Sequence, residues 1–156
     1  MKNLPRRREG AKVWNENPIA REVVDSALHL HRELGPGLLE SVYEVLLADD
    51  LKRRGLCVER QVVVPITWRG RTFVEGFRAD LIVEGKVCVE LKSVETFSKS
   101  DPKQLRTYLR LLKMKLSLLI NFNAPLLKDG IIRIVNGLED DPYSKPLRAF
   151  APSRED

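Results

Sequence analysis

From Cys57 to Val94 the apolar residues recur at every second position, in "CVERQVVVPITW", "RTFVEGFRADLIV" and "KVCVELKSV", with breaks only at Arg69-Gly70 and around Gly85. A period of two means side chains alternating between the faces of a sheet. Turns this short join strands only as antiparallel neighbours. The stretch therefore predicts a three-stranded antiparallel meander, and any fold for this chain must be built around it.

The flanking segments carry a helical period instead. Residues 18–34, "PIAREVVDSALHLHREL", place Ile19, Val23, Val24, Ala27, Leu28 and Leu34 on one helical face. "GPG" at 35–37 ends that helix, since Gly35 suits a C-cap and Pro36 cannot continue. A second helix is expected from Leu38 to Arg54, with Leu39, Val42, Tyr43, Leu46, Leu47 and Leu51 recurring every three or four residues until Gly55. After the meander, Asp101 as N-cap and Pro102 at the first helical position open a third helix, "PKQLRTYLRLLKM", with Leu105, Tyr108, Leu109 and Leu112 on one face. "LSLLINF" and "IIRIVNG" add two short strands. The order α-α-β-β-β-α-β-β predicts an α/β (α+β) fold, a mixed central sheet flanked by helices.

A chain of 156 residues, 43% of them hydrophobic, has the length and apolar content for one core. That domain is expected over 18–137. Residues 1–17, with Arg6, Arg7 and Arg8, read as a basic N-terminal arm, and 138–156, with Pro142, Pro146 and Pro152, as a loosely ordered C-terminal tail. There is no run of roughly 20 apolar residues and no secretory leader, so the expectation is a cytoplasmic protein without membrane attachment. Cys57 and Cys88 lie in strand-like runs with no CxxC, and read as buried reduced thiols. A formal charge of +5 tilts the protein toward polyanions, since a basic surface gains free energy by displacing counterions from phosphates.

The sharpest chemical feature is "DLIVEGKVCVELKS" at 80–93, where Asp80, Glu90 and Lys92 interrupt runs that otherwise read as core. A two-residue turn at Glu84-Gly85 would set Asp80 opposite Val89. A three-residue turn, Glu84-Gly85-Lys86, sets Asp80 opposite Glu90. The second register also pairs Val83 with Val87 and Leu81 with Val89 on a wholly apolar face, leaving Ile82 with Cys88 and Arg78 with Lys92 on the other; a bulge could achieve the same correction. Two adjacent carboxylates repel each other and need a cation. A hard divalent ion, Mg²⁺ or Mn²⁺, would be met by Asp80, Glu90 and the backbone carbonyl of Leu91. Lys92 is then placed to hold an attacking water or to neutralise charge developing on phosphorus. The competing reading is a cross-strand cluster in which Lys92 and Arg78 form surface salt bridges.

Gly37, Glu40 and Tyr43 in "GLLESVY" resemble the signature of the GxxExxY family, which is similar to nucleases of the PD-(D/E)xK superfamily. "HRELGPG", "FRADLIVEGKVCVELKSVE", "QLRTYLR" and "LLINF" match in order and spacing, so the resemblance runs from about Pro18 to Gly137. The proline of the superfamily's name is replaced by Ala79. The resemblance implies a restriction-endonuclease-like core and metal-dependent cleavage of nucleic acid, with DNA favoured over RNA. It implies that Glu40 is an accessory acid at the metal site; the alternative is an acid favoured by the helix dipole. Gln104 and Tyr108 resemble the QxxxY pattern of RecB-like exonucleases, which implies that the amide orients water or phosphate and the ring stacks on a base, unless Tyr108 is simply core. Lys103, Arg106, Arg110 and Arg78 are candidate phosphate contacts. His31 could reach the scissile phosphate, although a structural role for its ring is the simpler reading. Tyr43 reads as packing, Glu44 as a solvated charge, and Trp14 and Trp68 as packing anchors.

The resulting expectation is a metal-dependent deoxyribonuclease, with QxxxY pointing toward ends or single strands. Two rivals stand beside it: a catalytically silent nucleic-acid-binding module with the same fold, and a dimeric junction-resolving or restriction-type endonuclease.

Overall fold

A computed structural model describes residues 14–138 of the chain. The elements are α1 (Glu16–Leu34), α2 (Glu40–Arg53), β1 (Val58–Trp68), β2 (Arg71–Val83), β3 (Val87–Lys92), α3 (Ser100–Leu112), β4 (Leu116–Asn121) and β5 (Ile131–Val135), with one 3-10 turn at Leu127–Gly130. The order is the one that the hydrophobic periods dictate. The expected basic arm over 1–13 and the expected C-terminal tail over 139–156 lie outside the described residues, and α1 already begins at Glu16. Among those described, no helix is long and apolar enough to cross a membrane.

The five strands form one mixed sheet in the order β1-β2-β3-β4-β5. β1, β2 and β3 are the antiparallel meander, β3 and β4 run parallel, and β5 returns antiparallel to β4. A parallel pair needs a crossover, and α3 supplies it. One apolar layer lies under α1 and α2, where Ile19, Val23, Tyr43, Leu47 and Leu51 meet Leu81, Val83, Val87, Val89 and Leu91. A smaller layer lies under α3, where Leu105 and Leu109 cover Ile82, Cys88 and Leu119. At about 1.5–3 kcal/mol per buried large aliphatic chain, the larger layer dominates the hydrophobic stabilisation.

The register follows the three-residue turn: Leu81 pairs with Val89, Ile82 with Cys88 and Val83 with Val87. Glu84 and Gly85 both take left-handed backbone, and Glu84 is held there by its N–H donating to the Cys57 carbonyl at 2.8 Å. The ladder stops at Leu81, so Arg78 and Lys92 are not register partners.

Several local expectations are corrected. α2 buries Tyr43, Glu44, Leu47, Ala48 and Leu51, whereas Leu39 and Val42 are exposed. The helix is rotated because Tyr43 is pinned: its ring stacks on Phe122 at 4.2 Å, and its hydroxyl is held by the preceding loop. Glu44 is 5% exposed rather than solvated, since α2 lies against β1 and Arg60 meets the carboxylate at 2.9 Å. α3 begins at Ser100 with Lys99 as N-cap, so Asp101 is already helical; its carboxylate accepts the Ser98 N–H at 2.9 Å. Leu34 at the end of α1 is exposed. Cys88 is buried but Cys57 only partly so. Trp14 packs against the larger core, whereas Trp68 stands 63% exposed at the tip of the β1–β2 hairpin, beyond the reach of either layer.

Candidate active site

β2 and β3 part at Asp80 and Glu90, and the two side chains close the gap. With no strand carbonyl opposite it, the Leu91 N–H donates to Asp80 Oδ2 at 2.8 Å; the Asp80 N–H donates to Glu90 Oε1 at 2.9 Å. Each acid thus reaches across to the other strand's backbone, a reciprocal clasp where the ladder would otherwise continue. In an extended strand a residue's C=O points toward the same neighbour as its N–H, so the Leu91 carbonyl faces this gap too.

The clasp is electrostatically costly. Burial pushes Asp80 above the ordinary carboxylate range, against the Leu91 and Gln61 hydrogen bonds and with the help of nearby Glu44 and Glu40. Burial also pushes Glu90 up, to about 8, and Asp80 beside it adds to the effect, while Lys92 pulls the other way. The Cys88 thiol, buried behind Glu90, is pushed up to about 12 and is inert. Two desolvated acids this close are an arrangement that a cation relieves.

Glu90 opens into a small pocket under α3, lined also by Lys92, Phe77, Asp101, Gln104 and Tyr108. Lys92 and Gln104 converge there because β3 ends where the first turns of α3 pass over it. Lys92 forms no ion pair within 4.0 Å among the described residues, although its charge acts on Glu90. The Tyr108 ring lies flat on Phe77 at 3.7 Å, so one of its faces is taken by protein.

Glu40, first residue of α2, accepts the Ser93 N–H at 3.1 Å, and Ser93 Oγ donates to the Leu38 carbonyl at 2.9 Å. These bonds stitch the start of α2 to the end of β3 and bring the Glu40 charge within reach of both strand acids. The Tyr43 hydroxyl donates to the Gly35 carbonyl at 2.6 Å and accepts the Leu38 N–H at 3.2 Å, while Gly37 takes φ 101°, a conformation that suits glycine. Gly37, Glu40 and Tyr43 are therefore three parts of one device that aims the N-terminus of α2 at the end of β3.

Other candidates stand apart from the pocket. His31 Nε2 donates to the Ala124 carbonyl at 2.8 Å, tying α1 to the loop after β4. Lys103, Arg106 and Arg110 point from α3 to solvent, and Arg78 lies exposed on β2 opposite Val63. One neighbour of Asp80, Gln61, escaped the sequence reading, and another, Glu44, read as a solvated charge. Gln61 faces Asp80 across β1–β2, adopts φ 51° and donates through Nε2 to Asp80 Oδ1 at 3.1 Å and to Glu44 Oε1. Left-handed backbone at a non-glycine residue inside a strand is a strained feature that its surroundings must enforce. Side-chain alternation changes phase here: Leu81 and Val83 face α1 and α2, yet Ala79, Phe77 and Val62 pack under α3. No local sequence signal marks Gln61.

Among the described residues, no three His, Cys, Asp or Glu side chains are grouped to hold a metal ion. The donors at the clasp are instead two carboxylates and a backbone carbonyl. That sparse oxygen set fits Mg²⁺, which commonly takes one or two protein carboxylates and fills its octahedron with water and phosphate oxygens. Compared with known families, residues 17–134 match the PD-(D/E)XK nuclease superfamily. No curated protein and no solved structure matches the chain.

Proposed function

From the premise that this chain belongs to the PD-(D/E)XK nuclease superfamily, whose members are usually phosphodiesterases that use divalent metal ions, we propose that it hydrolyses DNA phosphodiester bonds at the Asp80–Glu90 clasp, with Mg²⁺ or Mn²⁺. The GxxExxY signature is the finer placement within that superfamily, supported by the joint task of Gly37, Glu40 and Tyr43. One observation carries the reading: two half-buried acids joined across a parted ladder, both pushed toward protonation, with Glu90 opening onto a pocket shared with Lys92 and Gln104.

Asp80, Glu90 and the Leu91 carbonyl would hold the ion, with Glu40 as the accessory acid beside them. When bound, the ion supplies the positive charge that lets both carboxylates ionise and polarises a phosphoryl oxygen. The chain's own groups do the rest. Lys92, with no competing ion pair among the described residues, orients the attacking water and balances negative charge gathering on the phosphoryl oxygens. Gln104 donates its amide N–H to water or phosphate in the same pocket. The water oxygen bonds to phosphorus and one ester P–O bond breaks in line, leaving a phosphate monoester on one side and a hydroxyl on the other. The proton lost by the water passes to solvent, and the leaving oxygen takes one up.

The test incubates purified protein with labelled DNA and Mn²⁺. Wild type is expected to cleave, and Asp80→Ala and Lys92→Ala to lose about 10²–10³ in rate while keeping the wild-type circular dichroism. Binding without cleavage by wild type, or cleavage retained by Asp80→Ala, would sink the proposal. Including a closed circular substrate separates cutting from ends from internal cutting, because a circle offers no end.

A further inference from the structure

The β1–β2 hairpin is longer than the sheet needs. β2 pairs with β3 only over Leu81–Val83, so among the described residues the pairs from Val63 with Arg78 to Trp68 with Arg71 have no other strand beside them. Its base is anchored where Phe77 stacks on Tyr108 and lines the Glu90–Lys92 pocket. From Arg78 to the turn at Gly70 the ribbon runs about 25 Å past the acids, at roughly 3.3 Å per residue. It leaves from the same end of the sheet as Glu90 and Lys92.

The ribbon's shape is built in. A bulge shifts the register between Val64 and Ile66, and a Cβ on Gly76 would lie 2.1 Å from the Val64 carbonyl oxygen, so only glycine fits that bend. Its distal surface is apolar and cationic together, with Val74 exposed beside two aromatic rings. Trp68 is 63% and Phe73 38% exposed, with the Arg69 guanidinium over the first ring at 5.5 Å and Arg71 over the second at 5.7 Å. Beyond Val63 the ribbon carries Arg69, Arg71 and Arg78 against the single acid Glu75. Exposed apolar side chains alone would suit a protein partner. Arginines laid over the exposed rings suit a polyanion whose surface also offers apolar edges.

We propose that this ribbon is the arm that grips double-stranded DNA, lying in the major groove while the scissile phosphate sits at the Glu90–Lys92 pocket. The proposal deepens the nuclease reading and rests on it for the position of that phosphate. A two-stranded ribbon fits the B-form major groove, about 12 Å wide, whereas the deep, narrow major groove of duplex RNA does not admit one. A stretch of about 25 Å corresponds to roughly seven base pairs at 3.4 Å each, a span that a duplex presents without the ordering cost of a single strand. Arg69 and Arg71 meet phosphates, and Trp68 lies against base or sugar edges.

The test measures fluorescence anisotropy of the full chain with labelled duplex DNA, single-stranded DNA and duplex RNA in EDTA, so that binding is read without cleavage. Wild type is expected to prefer duplex DNA. Arg69→Glu/Arg71→Glu should weaken that binding at least about tenfold and lower the log–log salt slope by about 2, with little change on single strands. Trp68→Ala should weaken affinity without changing the slope. Arg69→Gln/Arg71→Gln covers the case in which charge reversal disturbs the ribbon, and melting temperature is followed throughout. Unchanged affinity and slope would overturn the proposal. So would equal binding of all three nucleic acids, or a fall from dimer to monomer in the variants, which would make the ribbon an interface between copies. Normal duplex binding by the arginine variants in a protein that cleaves removes the arm and leaves the nuclease. Ribbon-dependent binding without cleavage does the reverse.

Discussion

At Glu90, burial and the neighbouring Asp80 push in the same direction, each disfavouring the ionised carboxylate. An acid whose folded-state pKa lies above its unfolded value stabilises the fold while both states are protonated. That contribution is lost as pH rises from the unfolded value, 4.5, through the folded one, about 8. Metal-free wild type is therefore expected to lose on the order of 3–5 kcal/mol of stability across that window. Glu90→Gln keeps an oxygen for the Asp80 N–H and removes the Glu90 titration, so its loss across the window should be clearly smaller, leaving the part due to Asp80, which burial also pushes up. Thermal melts in EDTA below pH 4.5 and above pH 8 check this, and parallel curves for the two proteins would contradict it. The strand acids were legible in the sequence because a charge inside an alternating apolar run is conspicuous. Glu44 and Gln61 were not: the burial of one depends on α2 packing against β1, and the role of the other on a backbone conformation that no neighbouring residue announces.

Among the elements, periodicity predicted type and order well and faces less well. The meander and its register were readable because a slip of one residue would have put Leu81, Val83, Val87 and Val89 on the wrong face. The rotation of α2 was not, since Tyr43 and Phe122 fix it from 79 positions apart in the chain. The exposure of Trp68 was missed for a related reason: alternation shows that a strand exists, and only the neighbouring strands show how much of it is covered. Gly76 is the residue on which the bend of the β1–β2 ribbon turns. Gly76→Ala would drive a methyl into the Val64 carbonyl and should cost about 1–3 kcal/mol or more. Urea unfolding measures this, with hydrogen exchange expected to accelerate over 62–79. A neutral effect would show that the bulge is soft.

At the scale of the whole molecule, the sheet brings together elements distant in sequence at one end: the last residues of β3, the first turns of α2 and α3, and the middle of β2. The reciprocal hydrogen bonds of Asp80 and Glu90 hold that end closed in the metal-free protein, at an electrostatic cost that binding of a cation would offset. The projecting β1–β2 ribbon, with Arg69, Arg71 and Arg78, leaves from the same end. The most direct test of this account is anomalous diffraction from wild-type crystals soaked in Mn²⁺. The account predicts a peak at about 2.1 Å from oxygens of both Asp80 and Glu90, absent in Asp80→Ala. A map without a peak between those two acids, with the Asp80–Leu91 and Glu90–Asp80 hydrogen bonds unchanged, would contradict it.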